Sequence, residues 1–433
     1  MKRSLTHYLL YAVVALCGSS FYLQASTLST TTIGGIQFYN GNFDEVVSLA
    51  QQQNKYLFVH TTSGKCVPCF EMSNDLYGDE KAAQYHNNNF INYIMHVDEP
   101  EYNDFARMND LGKEFTVFYY NPGGMMEEIA TQNEIQNVET LISKGRQVLQ
   151  LRTEENWKML EMLMAKQAKK QELSSDELRT LSYLARTFGK PYNSLVDAYL
   201  TSFPIEQRAS KENREFIYYF ADNLNNNAIN NLLTDRDYFN KVYGSAKVNT
   251  KIKIAINNTL EWAIKNKRSD IFDKMLAIID NYPMRDSDLF AYTVRSHYYH
   301  GMRDWNNLAK VSIEYIEQYQ PTDPILLNQA AERFFDFMGT NASAKDQKRF
   351  ELGLRWAERS VKIAPECYNN LTIARYYQTL GRCEDAVNAA NKCGEIVKYR
   401  EQNPEKTRDA KTVNMEQKCA IEAINLIDGL RCE

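Results

Sequence analysis

The run Tyr56-Leu57-Phe58-Val59-His60-Thr61, followed after four intervening residues by Cys66-Val67-Pro68-Cys69, decides the fold of the first third of this chain. The run is short, mainly apolar and free of turn residues, the pattern of a strand buried on both faces. Ser63-Gly64-Lys65 interrupts it, and a polar helical stretch then continues to about Asn89. A CxxC between strand and helix sets the first thiol against the unpaired N–H groups of a helix N-terminus, which favour its thiolate. Cys66 is therefore read as the nucleophile. Cys69, one turn inside, is read as the thiol that resolves a mixed disulfide.

Working outward, strand and helix signals alternate from about Ile36 to Gln150. Ile36–Tyr39 reads as a short strand, and Phe43–Asn54 as a helix with Val46, Val47 and Leu49 on its apolar side. Ile91–Val97 is a second buried strand, and Asn103–Leu111 is helical. Thr116–Tyr120 and Met126–Thr131 flank Asn121-Pro122-Gly123-Gly124, which predicts an antiparallel hairpin. A helix over about 138–151 closes an α/β unit at residues 35–150.

The residues that follow the CxxC carry a family resemblance. Cys66-Val67-Pro68-Cys69-Phe70-Glu71-Met72, then Asp79-Glu80-Lys81-Ala82-Ala83, Asn89-Phe90 and Val97-Asp98, closely resemble exported thioredoxin-like proteins over residues 35–150. The resemblance implies a thioredoxin fold and thiol–disulfide exchange through Cys66 and Cys69, with no cofactor beyond the two thiols. The chain departs from the family at three positions. Lys65 stands where the family carries Trp, and its charge would stabilise a Cys66 thiolate or simply be solvated. His60 stands where the family has a buried acid, either as a proton relay for Cys69 or as a core ring. Phe115 occupies the position of the family's cis-proline, which with Thr116 would form the substrate-facing loop. A non-proline cis bond costs about 2.5–4 kcal/mol, so a trans bond is expected there.

Beyond residue 151 the strand signals fade and helical runs of 10–18 residues follow one another, broken at joints such as Gly189-Lys190-Pro191 and Asn281-Tyr282-Pro283. Ala374, Tyr377, Gly381, Ala386, Ala390 and Cys393 fall at the small, large and turn positions of a helix-turn-helix repeat. Gly301 and Gly339 occupy similar turns. These positions resemble degenerate tetratricopeptide repeats, which implies a surface for a protein partner or client. The predicted architecture is thus a thioredoxin-like α/β domain (35–150), a helical domain of degenerate repeats (151–340) and tetratricopeptide-like repeats (341–433).

The first 25 residues read as a signal peptide. Lys2 and Arg3 precede the apolar Leu9–Leu16, and Leu23-Gln24-Ala25 offers a cleavage point. Residues 26–34 read as a linker. Eight to ten apolar residues are too few for a membrane span, which needs about 20. Export to a periplasm-like compartment is therefore expected. Lipoprotein processing at Cys17 is a second reading, disfavoured by the large Leu16 before it. In an oxidising compartment cysteines pair. Removal of Cys17 from the eight leaves seven, so at least one thiol is unpaired within the chain. Disulfides among Cys367, Cys383, Cys393, Cys419 and Cys432 are expected to stitch the last helices. Cys367–Cys393 and Cys383–Cys419 are both sterically allowed, and spacing alone does not fix the connectivity. With no CxxC spacing and no nearby His, no zinc site is read in this region.

Other functions are excluded by what is missing. A net charge of −5 without a long basic run does not suit nucleic acid. His297 and His300 lack a third metal ligand in sequence, and Ser63-Gly64-Lys65 lacks the upstream glycine of a phosphate loop. Two function classes remain. One is an exported thiol–disulfide oxidoreductase acting on protein thiols and disulfides, reset by a redox partner, with no membrane span. The other is a helical-repeat scaffold capped by a thioredoxin-like domain whose Cys66–Cys69 disulfide is structural.

Overall fold

A computed structural model describes residues 29–62, 67–97, 99, 102–109, 111, 115–284, 286–338, 344–403 and 410–429, the side chains at 67–71, 337–338, 344–346 and 410–415 excepted. The signal-peptide segment, Cys17, Gly339 and Cys432 lie outside these residues.

The N-terminal unit holds β1 (Thr30–Ile33), β2 (Ile36–Tyr39), α1 (Phe43–Gln52), β3 (Tyr56–Thr62), α2 (Val67–Tyr77), α3 (Glu80–Asn89), β4 (Phe90–His96), α4 (Asn103–Met108), β5 (Thr116–Tyr120), β6 (Met126–Thr131) and α5 (Val138–Leu149). The strands form one mixed sheet in the order β1-β2-β4-β3-β5-β6. β3 lies at its centre, parallel to β4 and antiparallel to β5. The expected hairpin forms between β5 and β6, with an irregularity at Tyr119/Tyr120. Along β3 the pleat sends Tyr56 and Phe58 to one face, with Tyr77, Ala82 and Leu141 of the helices, and Leu57 and Val59 to the other, with Val46 and Ala50.

Two details differ from the sequence reading. Within the expected linker, Thr30–Ile33 forms an edge strand antiparallel to β2. Gly34-Gly35 makes the turn, and Gly35 N–H donates to the Tyr77 carbonyl at 2.7 Å. The long helix after the CxxC is two helices, because Asp79 caps a new one by accepting from Lys81 and Ala82 N–H.

From Glu154 onward the described residues form fifteen α-helices and one short 3-10 turn, with no strand. Their apolar cores divide in two. One runs from Leu160 to Tyr298, and the other gathers Tyr292, Ala309 and Ile316 with residues as far as Ala423. Ala374, Ala386, Ala390 and Cys393 are buried where helices touch, and Gly381 turns between two of them with φ 69°.

The α/β unit is not separate from this helical region. Ile254, on the Ser245–Lys265 helix, completes the core on the Val59 face of the sheet, and Met108 of α4 joins the helical core. The β5–β6 hairpin docks on the turn after the Ser175–Thr187 helix. There Asn121 Nδ2 donates to the Arg186 carbonyl at 2.9 Å, and its Oδ1 accepts from Gly123 and Met125 N–H. Gly189 has φ 66°, and a Cβ on it would come within 2.4 Å of the Gly123 nitrogen. Gly381 has a similar φ, 69°, but open space around it. Gly381→Ala should therefore cost about 1 kcal/mol, the strain of a left-handed residue, and Gly189→Ala at least about 2 kcal/mol. Urea denaturation of the two variants checks this; equal losses would mean that the hairpin contact does not require the glycine.

Candidate functional site

The candidate site lies at the carboxyl end of β3, the edge of a sheet where loops between parallel strands gather. β3 ends at Thr62, and α2 begins at Val67. Cys66 and Lys65 fall between the two in sequence, outside the described residues. Cys69 belongs to the first turn of α2, its side chain likewise outside them. Pro68 suits that turn, where a backbone N–H has no intrahelical partner to lose. Beside this edge Val97 N–H donates to the Thr62 carbonyl at 3.0 Å, and Thr61 Oγ1 donates to the Thr116 carbonyl at 3.0 Å. The start of β5 is thereby held against the end of β3.

His60 points to the α2 side of the sheet and is 2% exposed. Its ring packs 4.9 Å from that of Phe115 and 5.5 Å from that of Tyr77. Neither ring nitrogen has a hydrogen-bond partner among the described residues. Burial, reinforced by His96, lowers its pKa to about 3, so the ring is neutral. Phe115 is fully buried and Thr116 nearly so. Their carbonyls are already engaged within the unit, that of Phe115 by Gln132 N–H at 2.9 Å and that of Thr116 by Thr61 Oγ1. The peptide bond preceding Phe115 involves Glu114, outside the described residues.

Two buried charge clusters tie the unit to the helices, and neither was visible in the sequence. In the first, Arg186 Nη2 lies 2.9 Å from both Glu127 Oε2 of β6 and Asp222 Oδ2. Its Nη1 donates to the Tyr219 carbonyl at 2.9 Å, and its guanidinium lies 4.1 Å from the Tyr219 ring centre. Lys251 adds a second cation, its pKa lowered to about 8 by burial and then by Arg186. In the second cluster, Asp104 of α4 accepts from Arg333, from Arg107 at 2.7 Å and from His297 Nδ1 at 2.7 Å. Glu261 meets the other nitrogen of His297. His297, singled out earlier only as half of a histidine pair, thus belongs to an ion network.

At the far end of the chain, Cys367 and Cys393 form a disulfide, one of the two pairings that the sequence allowed. The Cys383–Cys419 pairing is corrected: Cys419 is a free thiol, and Cys383 is in a disulfide of its own. The reason is helix rise. Cys383 opens the Cys383–Gln402 helix about 15 Å along its axis from Cys393, whereas Cys419 Sγ lies 3.9 Å from Cys393 Sγ. Burial, then Glu422, pushes the Cys419 thiol up to about 12, so it is protonated and a poor nucleophile.

No protein-family model matches the chain, and no curated protein matches it. Among the described residues, no helix is long and apolar enough to cross a membrane.

Proposed function

We propose that the protein is an exported thiol–disulfide oxidoreductase of thioredoxin-like fold, in which Cys66 attacks and Cys69 resolves. The helical region, read as degenerate tetratricopeptide-like repeats, would present the partner or client. One observation carries the proposal: a helix starts at Val67, immediately after Cys66 and just past the end of the central strand. That location supplies the N-terminal dipole that a reactive thiolate needs. The strand order, with its parallel centre and antiparallel β5–β6 edge, is compatible with a thioredoxin-like sheet. Lys65, next to Cys66 in sequence, would add to thiolate stabilisation. A proton relay through His60 would require a transient imidazolium, which its burial opposes.

The scaffold reading keeps one argument of its own. Phe115 and His60 fill the core beneath this edge with rings, as a purely structural cap would.

The reduction potential of Cys66–Cys69 separates the two. The intact chain is equilibrated in glutathione and dithiol buffers and alkylated. The tryptic fragment from Cys66 to Lys81, which contains both thiols and no other cysteine, is then weighed. The enzyme reading expects a value between about −120 and −270 mV. A value below about −300 mV is that of a structural disulfide and would sink it.

A further inference from the structure

Three consecutive helices, the last of the described residues, bring three sulfurs to one point. Cys367 begins the Cys367–Thr379 helix, Cys393 lies midway along the Cys383–Gln402 helix, and Cys419 is carried by the Ala410–Gly429 helix. Their Sγ atoms all lie within 4.8 Å of one another. Cys367 and Cys393 are 4% and 0% exposed, and Cys419 is half-buried beside them. Two thiolates on one zinc ion at about 2.3 Å stand about 3.8 Å apart in tetrahedral geometry and about 4.0 Å apart in trigonal geometry. The Cys393–Cys419 separation of 3.9 Å falls between these values.

We propose that, once the Cys367–Cys393 disulfide is reduced, Cys367, Cys393 and Cys419 form a three-thiolate site for a thiophilic d10 ion. The chemistry balances as follows. A dithiol donates two electrons and two protons and becomes a disulfide, while the Cys367–Cys393 bond opens to two thiols. The ion then displaces three protons and forms three metal–sulfur bonds. Zn(II) is favoured over Cu(I), because the zinc site carries a net charge of −1 and the copper site −2 in an apolar setting. Zinc also keeps a fourth position for water or a carboxylate. The site is gated by redox state: in the disulfide form two of its three ligands are consumed.

The test uses the full chain with Cys66→Ser and Cys69→Ser, so that the CxxC holds no metal. The protein is reduced with a phosphine under nitrogen and titrated with Zn(II) and, separately, with Cu(I), each against a chromophoric chelator. One equivalent should bind to the reduced protein and none to the oxidised one. Cys419→Ser should weaken binding at least 100-fold, whereas Cys383→Ser should leave it unchanged. One Zn(II) bound to the reduced protein supports the choice of zinc, and one equivalent taken up in the Cu(I) arm alone overturns it. Absence of binding, or binding that Cys419→Ser does not alter, overturns the proposal. Should Cys419→Ser fail to fold, Co(II) is added to the parent protein. Its sulfur-to-metal charge-transfer intensity counts the thiolates; three supports the site, and two or fewer overturns it.

Discussion

Arg186→Met is expected to lower the unfolding free energy by about 3–5 kcal/mol, the cost of stranding buried charges by removing their partner. Arg186 is 1% exposed and bridges two carboxylates from different parts of the fold, Glu127 of the sheet and Asp222 of the helical region. Burial already raises the pKa of Glu127, and Arg186 is the main group opposing it. Without the guanidinium, Glu127 should take up a proton. Asp222 would keep Tyr192, whose hydroxyl lies 3.3 Å from both of its oxygens. Lys251 would be relieved of a neighbouring cation and partly replace it. Adding Glu127→Gln and Asp222→Asn to Arg186→Met should recover most of the loss, because a buried network can be exchanged whole at little cost. Urea denaturation of the single and triple variants measures this. A loss under about 1 kcal/mol for Arg186→Met would show that the pairing does not hold the hairpin to the helices.

The second large effect is expected at Asp104, and it depends on pH. Burial alone would raise the carboxyl pKa, but Arg333, His297 and Arg107 hold it well below the usual carboxylate range. Burial would likewise lower the His297 pKa, yet the carboxylates of Asp104 and Glu261 raise it to about 9. A histidine whose folded pKa is raised contributes stability that is fully present below its unfolded pKa of about 6.5. That contribution is lost as pH rises through the folded value. The stability difference between the protein and His297→Gln should therefore be flat below about pH 6.5 and shrink by about 3 kcal/mol between there and pH 9. Asp104→Asn should reduce that pH dependence, Glu261 alone still favouring the charged ring, and lower stability by about 3–5 kcal/mol, since three cationic groups lose their shared anion. Chemical denaturation at pH 6, 7.5 and 9 reads both. A difference that does not vary with pH would rule out a raised His297 pKa in the folded protein.

The two kinds of feature were unequally legible in the sequence. β3 and β4 could be read because burial on both faces demands mainly apolar runs, and the β5–β6 hairpin because Asn121-Pro122-Gly123-Gly124 admits little but a turn. β1 was missed because Thr30-Thr31-Thr32 shows no alternation, although Gly34-Gly35 before Ile36 carried the two-residue hairpin signal. Asp79 was the readable sign of a new helix. The charge clusters left no local trace. Asp104 and Arg333 are 229 residues apart, and nothing beside either marks it for burial rather than solvent. The meeting of Cys419 with Cys393 depends in the same way on how the last helices pack.

The long reach between the α/β unit and the helices also bears on the birth of the protein. A chain leaves the ribosome from its amino end, so the sheet could assemble while most of the helices are still unmade. At that moment Asp104 lacks Arg333, Glu127 lacks Arg186, and the apolar face around Val59 lacks Ile254. Contacts so distant in sequence are slow to form. A sheet that assembles early therefore stands with acidic groups unpaired and apolar surface uncovered until residue 333 has emerged.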